Sequence, residues 1–254
     1  MKRSPQGLPP LLKKIYQTLL DFYGPQGWWP ADSPFEVAVG AILTQNTSWQ
    51  NVEKAIQNLK SKDLLNPLKL YKTSFKRLSS FLKPSGYFNI KTKRLKSFLA
   101  YLIRNYDGDI RRMRRHPLPS LRKELLQVDG IGEETCDSIL LYALNKPIFV
   151  VDAYTRRIFA RYGCIPEKVT YDEIQNFFMK NLVSGFSGLN GLNRIRNSGK
   201  GRITNHQSPV TIFNEYHALI VRHGKTLCKK IPLCRECPLS NIGCQFGNRM
   251  IPRD

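Results

Sequence analysis

The stretch from Leu125 to Arg161, LLQVDGIGEETCDSILLYALNKPIFVVDAYTRRIFAR, constrains this chain more than any other. An apolar helix end at Leu125, Leu126 and Val128 runs into Gly130-Ile131-Gly132. A second helical pattern starts near Glu133 and continues through Ile139, Leu140 and Leu144. Glycines take backbone conformations that a Cβ forbids, and they let amide N–H groups come close to an anion. Two helices pinned by such a turn suit a phosphate. Phe149-Val150-Val151 then leads into Asp152, and another helical pattern follows at Tyr154, Ile158, Phe159 and Tyr162. A single carboxylate is thereby held in the same rigid frame as a phosphate clamp.

Charge indicates the partner. Lys and Arg number 40 against 19 acidic residues, a formal net charge of +21 over 254 residues. Such an excess favours a polyanion, nucleic acid ahead of an anionic membrane surface. No segment approaches the length of a membrane span, and the N-terminal MKRSPQGLPP lacks the apolar core of a signal peptide. The expectation is a monomer with no membrane association, cytoplasmic and nucleoid-associated through DNA, with its thiols reduced.

Hydrophobic periodicity predicts helices throughout. Apolar positions 12, 15, 16, 19, 22 and 23 define one over 11–23, closed by Gly24-Pro25. Phe35 to Gln45 is apolar almost all round, which predicts a buried helix. Thr44-Gln45-Asn46-Thr47 ends it, before Trp49 and a helix through Val52, Ile56 and Leu59. Further helical patterns cover 62–71, 74–82, 89–105, 118–126, 171–182 and 210–223. Arg111, Arg112, Arg114 and Arg115 read as a solvated loop, with DNA contact as the alternative. Residues 184–209, rich in Gly, Ser and Asn with four basic residues and no acid, read as a mobile loop or linker. With no internal repeat and no strand pattern, the fold class is all-α.

Cys228, Cys234, Cys237 and Cys244 give C-x5-C-x2-C-x6-C. Four thiols so crowded, in a reducing compartment, argue for a metal site rather than disulfides. Structural zinc usually uses two CxxC-type pairs across a longer segment. One CxxC with short loops favours wrapping around a bulkier [4Fe–4S] cubane, with zinc as the alternative. Cys136 and Cys164 lie outside the motif and read as buried apolar residues.

Gly130, Ile131, Gly132 and Thr135, followed by Asp152, resemble the helix-hairpin-helix DNA glycosylases of the endonuclease III superfamily. In those enzymes an aspartate matching Asp152 is catalytic, and the resemblance implies two helical domains with a DNA-binding cleft between them. It suggests a helical barrel at 35–146 and a second domain of 1–34 plus 147–254 that carries the cluster. The LTQNT corner is similar to the family's, whose glutamine fills the gap left by an extruded nucleotide; this makes Gln45 the wedge, where the residues alone also suit a helix C-cap. The family's tail closes as C-x6-C-x2-C-x5-C, the same span with the middle pair displaced by one residue.

Cleavage of an N-glycosidic bond develops positive charge on the sugar, which a carboxylate can stabilise while orienting or deprotonating a water. Asp152 suits both tasks, and also suits an N-cap. Relatives that cut the DNA backbone carry a lysine two residues after the last hairpin glycine; here that residue is Glu134. A glutamate cannot form the Schiff base that β-elimination needs. The expectation is a monofunctional glycosylase with weak or absent lyase activity, although Glu134 also suits a helix's first turn. Trp28, Trp29 and Trp49 offer electron-rich faces to a positively charged base, or else plug the core. Together with Glu134 they form the expected base pocket. WWP, PSGYFN and the GIG turn resemble the 3-methyladenine glycosylase branch, which implies double-stranded DNA with an alkylated purine as substrate. The alternatives are a mismatched thymine or uracil, an oxidised base, or a non-catalytic damage-sensing DNA-binding protein.

Overall fold

The computed structural model describes residues 8–186 and 208–251, without the side chains of 183–186. Residues 187–207, most of the glycine-rich stretch read as a mobile loop, lie outside the described residues. Every regular element described is helical and no strand occurs among them, so the fold is all-α. No described helix is long and apolar enough to cross a membrane. The chain forms two compact units, a central one from Trp29 to Pro147 and a terminal one that joins Met1–Trp28 to Ile148–Asp254.

In the terminal unit, α1 (Leu8–Tyr23) packs against α10 (Tyr171–Phe186) and α11 (Pro209–Thr226). Helix α9 (Ala153–Tyr162) lies against α11 and the short α12 (Gln245–Met250). The core is aromatic. Phe149 stacks on Phe178 at 4.2 Å, and Phe159, Phe213 and Tyr216 meet these rings edge-on. Each such buried ring contributes about 1.5–3 kcal/mol relative to exposure. Tyr216 also places its hydroxyl where it donates to the Leu12 carbonyl at 2.9 Å, so its polar end is satisfied.

The central unit begins with α2 (Pro34–Leu43), capped by Ser33, whose hydroxyl accepts from the Glu36 N–H. It continues through α3 (Trp49–Lys60), α4 (Pro67–Lys72), α5 (Phe75–Leu82), α6 (Phe88–Tyr106) and α7 (Leu118–Leu126). The helix expected over 62–71 starts only at Pro67, because the Asn66 side chain caps Leu68 and Lys69 and proline occupies the first position. Residues 110–115, expected as loop, form a 3-10 turn that buries Ile110 and Met113. Two of its arginines face acids, Arg111 with Asp109 and Arg112 with Asp107. After the hairpin, α8 (Glu133–Ser138) widens into a π turn over Ile139–Ala143 instead of continuing as α-helix.

Candidate functional site

The hairpin joins α7 to α8. Gly130 takes φ +85°, where glycine is strained least. A second constraint acts there: a Cβ on Gly130 would lie 2.0 Å from Cγ of Arg94, which reaches over from α6. Gln45, just beyond α2, donates from Nε2 to the Gly130 carbonyl (3.1 Å) and to the Thr135 hydroxyl (2.8 Å). Its Oε1 accepts from Arg94. The Gln45 amide thus fastens the hairpin rather than capping α2, whose C-cap is Thr44. Beneath the turn, Arg122 of α7 donates from Nε to Asp137 of α8 at 2.8 Å, and Asp137 is fully buried. Glu134 is exposed in the first turn of α8.

Trp29 and Trp49 come together within the central unit, at 5.3 Å and nearly perpendicular. Tyr142, presented by the π turn, adds a third ring 5.2 Å from Trp29. Gly40 of α2 provides the floor: a Cβ there would sit 3.3 Å from the Trp29 indole and 3.5 Å from Trp49. Both tryptophans are half-buried, and Trp49 Nε1 is buried with no hydrogen-bond partner among the described residues.

Asp152 and Trp28 belong to the terminal unit. Asp152 caps α9, its Oδ1 accepting from the Thr155 N–H (2.7 Å) and the Thr155 hydroxyl (2.8 Å). The residue is 8% exposed. Its Oδ2 lies 3.7 Å from His217 Nε2. Burial pushes the His217 pKa down; the Asp152 charge acts in the opposite sense, and Lys225 reinforces the burial. Lys225 stands 5.6 Å over the Trp28 ring. Its pKa is also lowered by burial, against the pull of Asp152. His217 and Lys225 both lie on α11, far in sequence from Asp152. The sequence reading placed neither beside Asp152, and no local signal marks them out, since α11 also carries Asn214, Glu215, Arg222 and His223.

The four cysteines of the tail line one pocket with Ile158, Arg161 and Phe246, about 340 Å³ not filled by protein atoms when the part open to solvent is counted. Arg161 donates to Cys228 Sγ at 3.4 Å, and His223 Nε2 lies 3.6 Å from Cys237 Sγ. Burial raises the Cys237 and Cys244 thiol pKa values. Among the described residues, no three His, Cys, Asp or Glu side chains close on a point that would hold one ion. Cys136 is fully buried; Cys164 is half-buried rather than buried.

A hairpin between two helices, followed by a capping aspartate in an all-helical fold, defines the helix-hairpin-helix class of base-excision enzymes. Residues 39–183 match that family, and the chain belongs to the HhH-GPD superfamily of base excision DNA repair proteins, as a DNA glycosylase. A protein of Methanocaldococcus jannaschii assigned to the DNA repair glycosylases is 46% identical over 234 residues, 91% of this chain and 95% of that protein. The structure of Helicobacter pylori 3-methyladenine DNA glycosylase bound to 1,N6-ethenoadenine is similar with a TM-score of 0.68 and 31% identity, over 85% of this chain and 95% of that one. An endonuclease III–DNA complex shares the fold, with a TM-score of 0.74 at 19% identity, over 95% of this chain and 97% of that one.

Proposed function

We propose that the protein is a monofunctional glycosylase that releases an alkylated purine such as 3-methyladenine from double-stranded DNA. The observation that carries this reading is the cluster of three packed aromatic rings, Trp29, Trp49 and Tyr142. A flipped base is held in part by stacking, and electron-rich faces favour a base that carries positive charge. The likeness to a 3-methyladenine glycosylase at 31% identity supports the same choice.

Asp152 is the catalytic residue of this proposal. With Oδ1 engaged by Thr155, Oδ2 is the oxygen that faces developing charge on the sugar or takes a proton from water. Glu134 offers no amine, so the product is an abasic site. Gly130 and Gly132 offer backbone amides to a phosphate across a turn that the Ile131 N–H closes on the Val128 carbonyl at 3.0 Å, and Gln45 fills the gap in the base stack once it leaves the hairpin.

The cysteine pocket fits a cluster better than a single ion. One tetrahedral zinc with bonds of about 2.3 Å needs its sulfurs gathered tightly. Here four thiols line one pocket, and among the described residues no three of them close on a single point. A [4Fe–4S] cluster held by Cys228, Cys234, Cys237 and Cys244 would tie the tail together and supply a one-electron centre.

The test is incubation at low salt with duplexes that each carry one lesion: alkylated purine, uracil, thymine opposite guanine, or oxidised pyrimidine. Base release and strand cleavage are scored separately. Release of alkylated purine without cleavage is expected, with Asp152→Asn slower by about 10²–10⁴-fold. Asparagine caps helices as well as aspartate, so that variant keeps its fold. Release only from the mismatched duplex would replace the substrate assignment, and release from none would favour a damage-sensing binding protein.

A further inference from the structure

The hairpin reads Asp129-Gly130-Ile131-Gly132-Glu133-Glu134, so three carboxylates flank the amides assigned to a phosphate. Asp129 and Glu134 are exposed and Glu133 is half-buried. For a polyanion this is an adverse field, and the turn's own amides carry only partial charges against it. Part of the compensation comes from α6. Lys93 pairs with Asp129 at 3.2 Å. The next residue, Arg94, lays its aliphatic stem over Gly130, in the space a Cβ would need. Its guanidinium is held by Gln45 Oε1, an uncharged amide that leaves the positive charge in place. Gln45 in turn grips the Gly130 carbonyl and Thr135, so turn, glutamine and arginine form one connected unit. Arg94 is half-buried, and when Gln45 moves into the base stack its guanidinium is left beside the turn for a phosphate.

We infer that Arg94 is a DNA-binding residue that holds a backbone phosphate jointly with the Gly130–Gly132 turn and offsets the hairpin's acids. This rests on the reading of the turn as a phosphate site, and it names a contact from a helix outside the hairpin. A planar guanidinium suits phosphate oxygens better than an ammonium does. The Gly130 position is thereby explained twice, by its positive φ and by the room that Arg94 occupies.

The experiment is fluorescence anisotropy of the full-length protein on a lesion-free duplex over a range of salt concentrations. The variants are Arg94→Met, which keeps the stem over Gly130, Arg94→Lys, and Arg104→Gln as an exposed arginine near the other end of α6. Arg94→Met is expected to bind about tenfold more weakly and to lower the slope of log K against log salt by about 0.9, one phosphate contact. Arg94→Lys should keep the slope while losing part of the affinity, and Arg104→Gln should match wild type. An unchanged slope in Arg94→Met, whether or not affinity falls, overturns the inference. If Arg94→Met does not fold, weaker binding at an unchanged slope in Arg94→Lys supports a contact that depends on the guanidinium, and wild-type affinity in that variant overturns it. Single-turnover release of alkylated purine at saturating protein separates this from the enzymatic proposal. Wild type that binds with the expected slope yet releases nothing would sink the substrate assignment and leave the Arg94 contact standing.

Discussion

The pair Arg122–Asp137 lies directly under the hairpin, and its removal has a calculable cost. Arg122 donates to both carboxylate oxygens of Asp137, at 2.8 and 3.2 Å. The Asp137 side chain is fully buried while that of Arg122 is 21% exposed. Arg122→Met keeps most of the side-chain volume and leaves a carboxylate buried without its guanidinium. Breaking a buried pair from one side costs about 3–5 kcal/mol. The partial exposure of Arg122 lets water reach the vacated space, which places the expected loss near the lower end, about 3 kcal/mol. For a chain of this size that corresponds to a fall of roughly 6–12 °C in melting temperature. Arg122→Met with Asp137→Leu removes both charges and should return to within about 1 kcal/mol of wild type or exceed it. Urea unfolding followed by circular dichroism measures all three variants. A loss below about 1 kcal/mol in Arg122→Met, or a double variant as unstable as the single one, would refute the view that the hairpin rests on this pair.

Glu134→Lys places an amine where the lyase members of the family carry one, and it should yield a borohydride-trappable DNA adduct; no adduct would mean that position 134 does not reach the sugar. Cys234→Ser should lose iron and visible charge-transfer absorption on metal analysis, whereas zinc in the wild-type protein would exclude a cluster. Burial pushes the Lys91 pKa down to about 8 from an ordinary 10.5, so between those values the unfolded chain binds more protons than the folded one. Stability should therefore rise with pH across that window, and Lys91→Met should flatten the rise in urea titrations at stepped pH. Trp29→Ala should weaken capture of an alkylated purine by about 5–150-fold in single-turnover half-saturation, the range expected for one lost stacking contact of about 1–3 kcal/mol. Trp28→Ala should cost less, because an ammonium stands over that ring.

Local pattern made much of the fold readable. The helix starts at Pro34 and Pro209 follow serine caps, whereas the asparagine cap before Pro67 was overridden by the apolar pattern from 62. The hairpin and Asp152 were legible for the same reason, since each depends on neighbours within a few residues. What escaped was decided by tertiary packing. Gln45 lies 85 residues from the carbonyl it binds, and neither its neighbours nor its periodicity distinguishes a hairpin clasp from a helix cap or a wedge. Ile139 to Ala143 continues an α-helical pattern by composition, yet a π turn there is what presents Tyr142 to Trp29.

The tryptophans illustrate the limit most directly. Trp28 and Trp29 are adjacent letters with one residue type and one apparent purpose. The boundary between the units falls between them. Trp29 joins Trp49 and Tyr142 over Gly40, a small residue whose missing side chain makes room for two indoles. Trp28 instead shares its surroundings with His217 and Lys225, the residues around Asp152. A cation over an aromatic face already satisfies the ring's quadrupole, and repels a second positive charge brought to that face. On the proposed function the two indoles are therefore suited to different work: Trp29 to a positively charged base, and Trp28 to holding the ammonium of Lys225 within the field of Asp152.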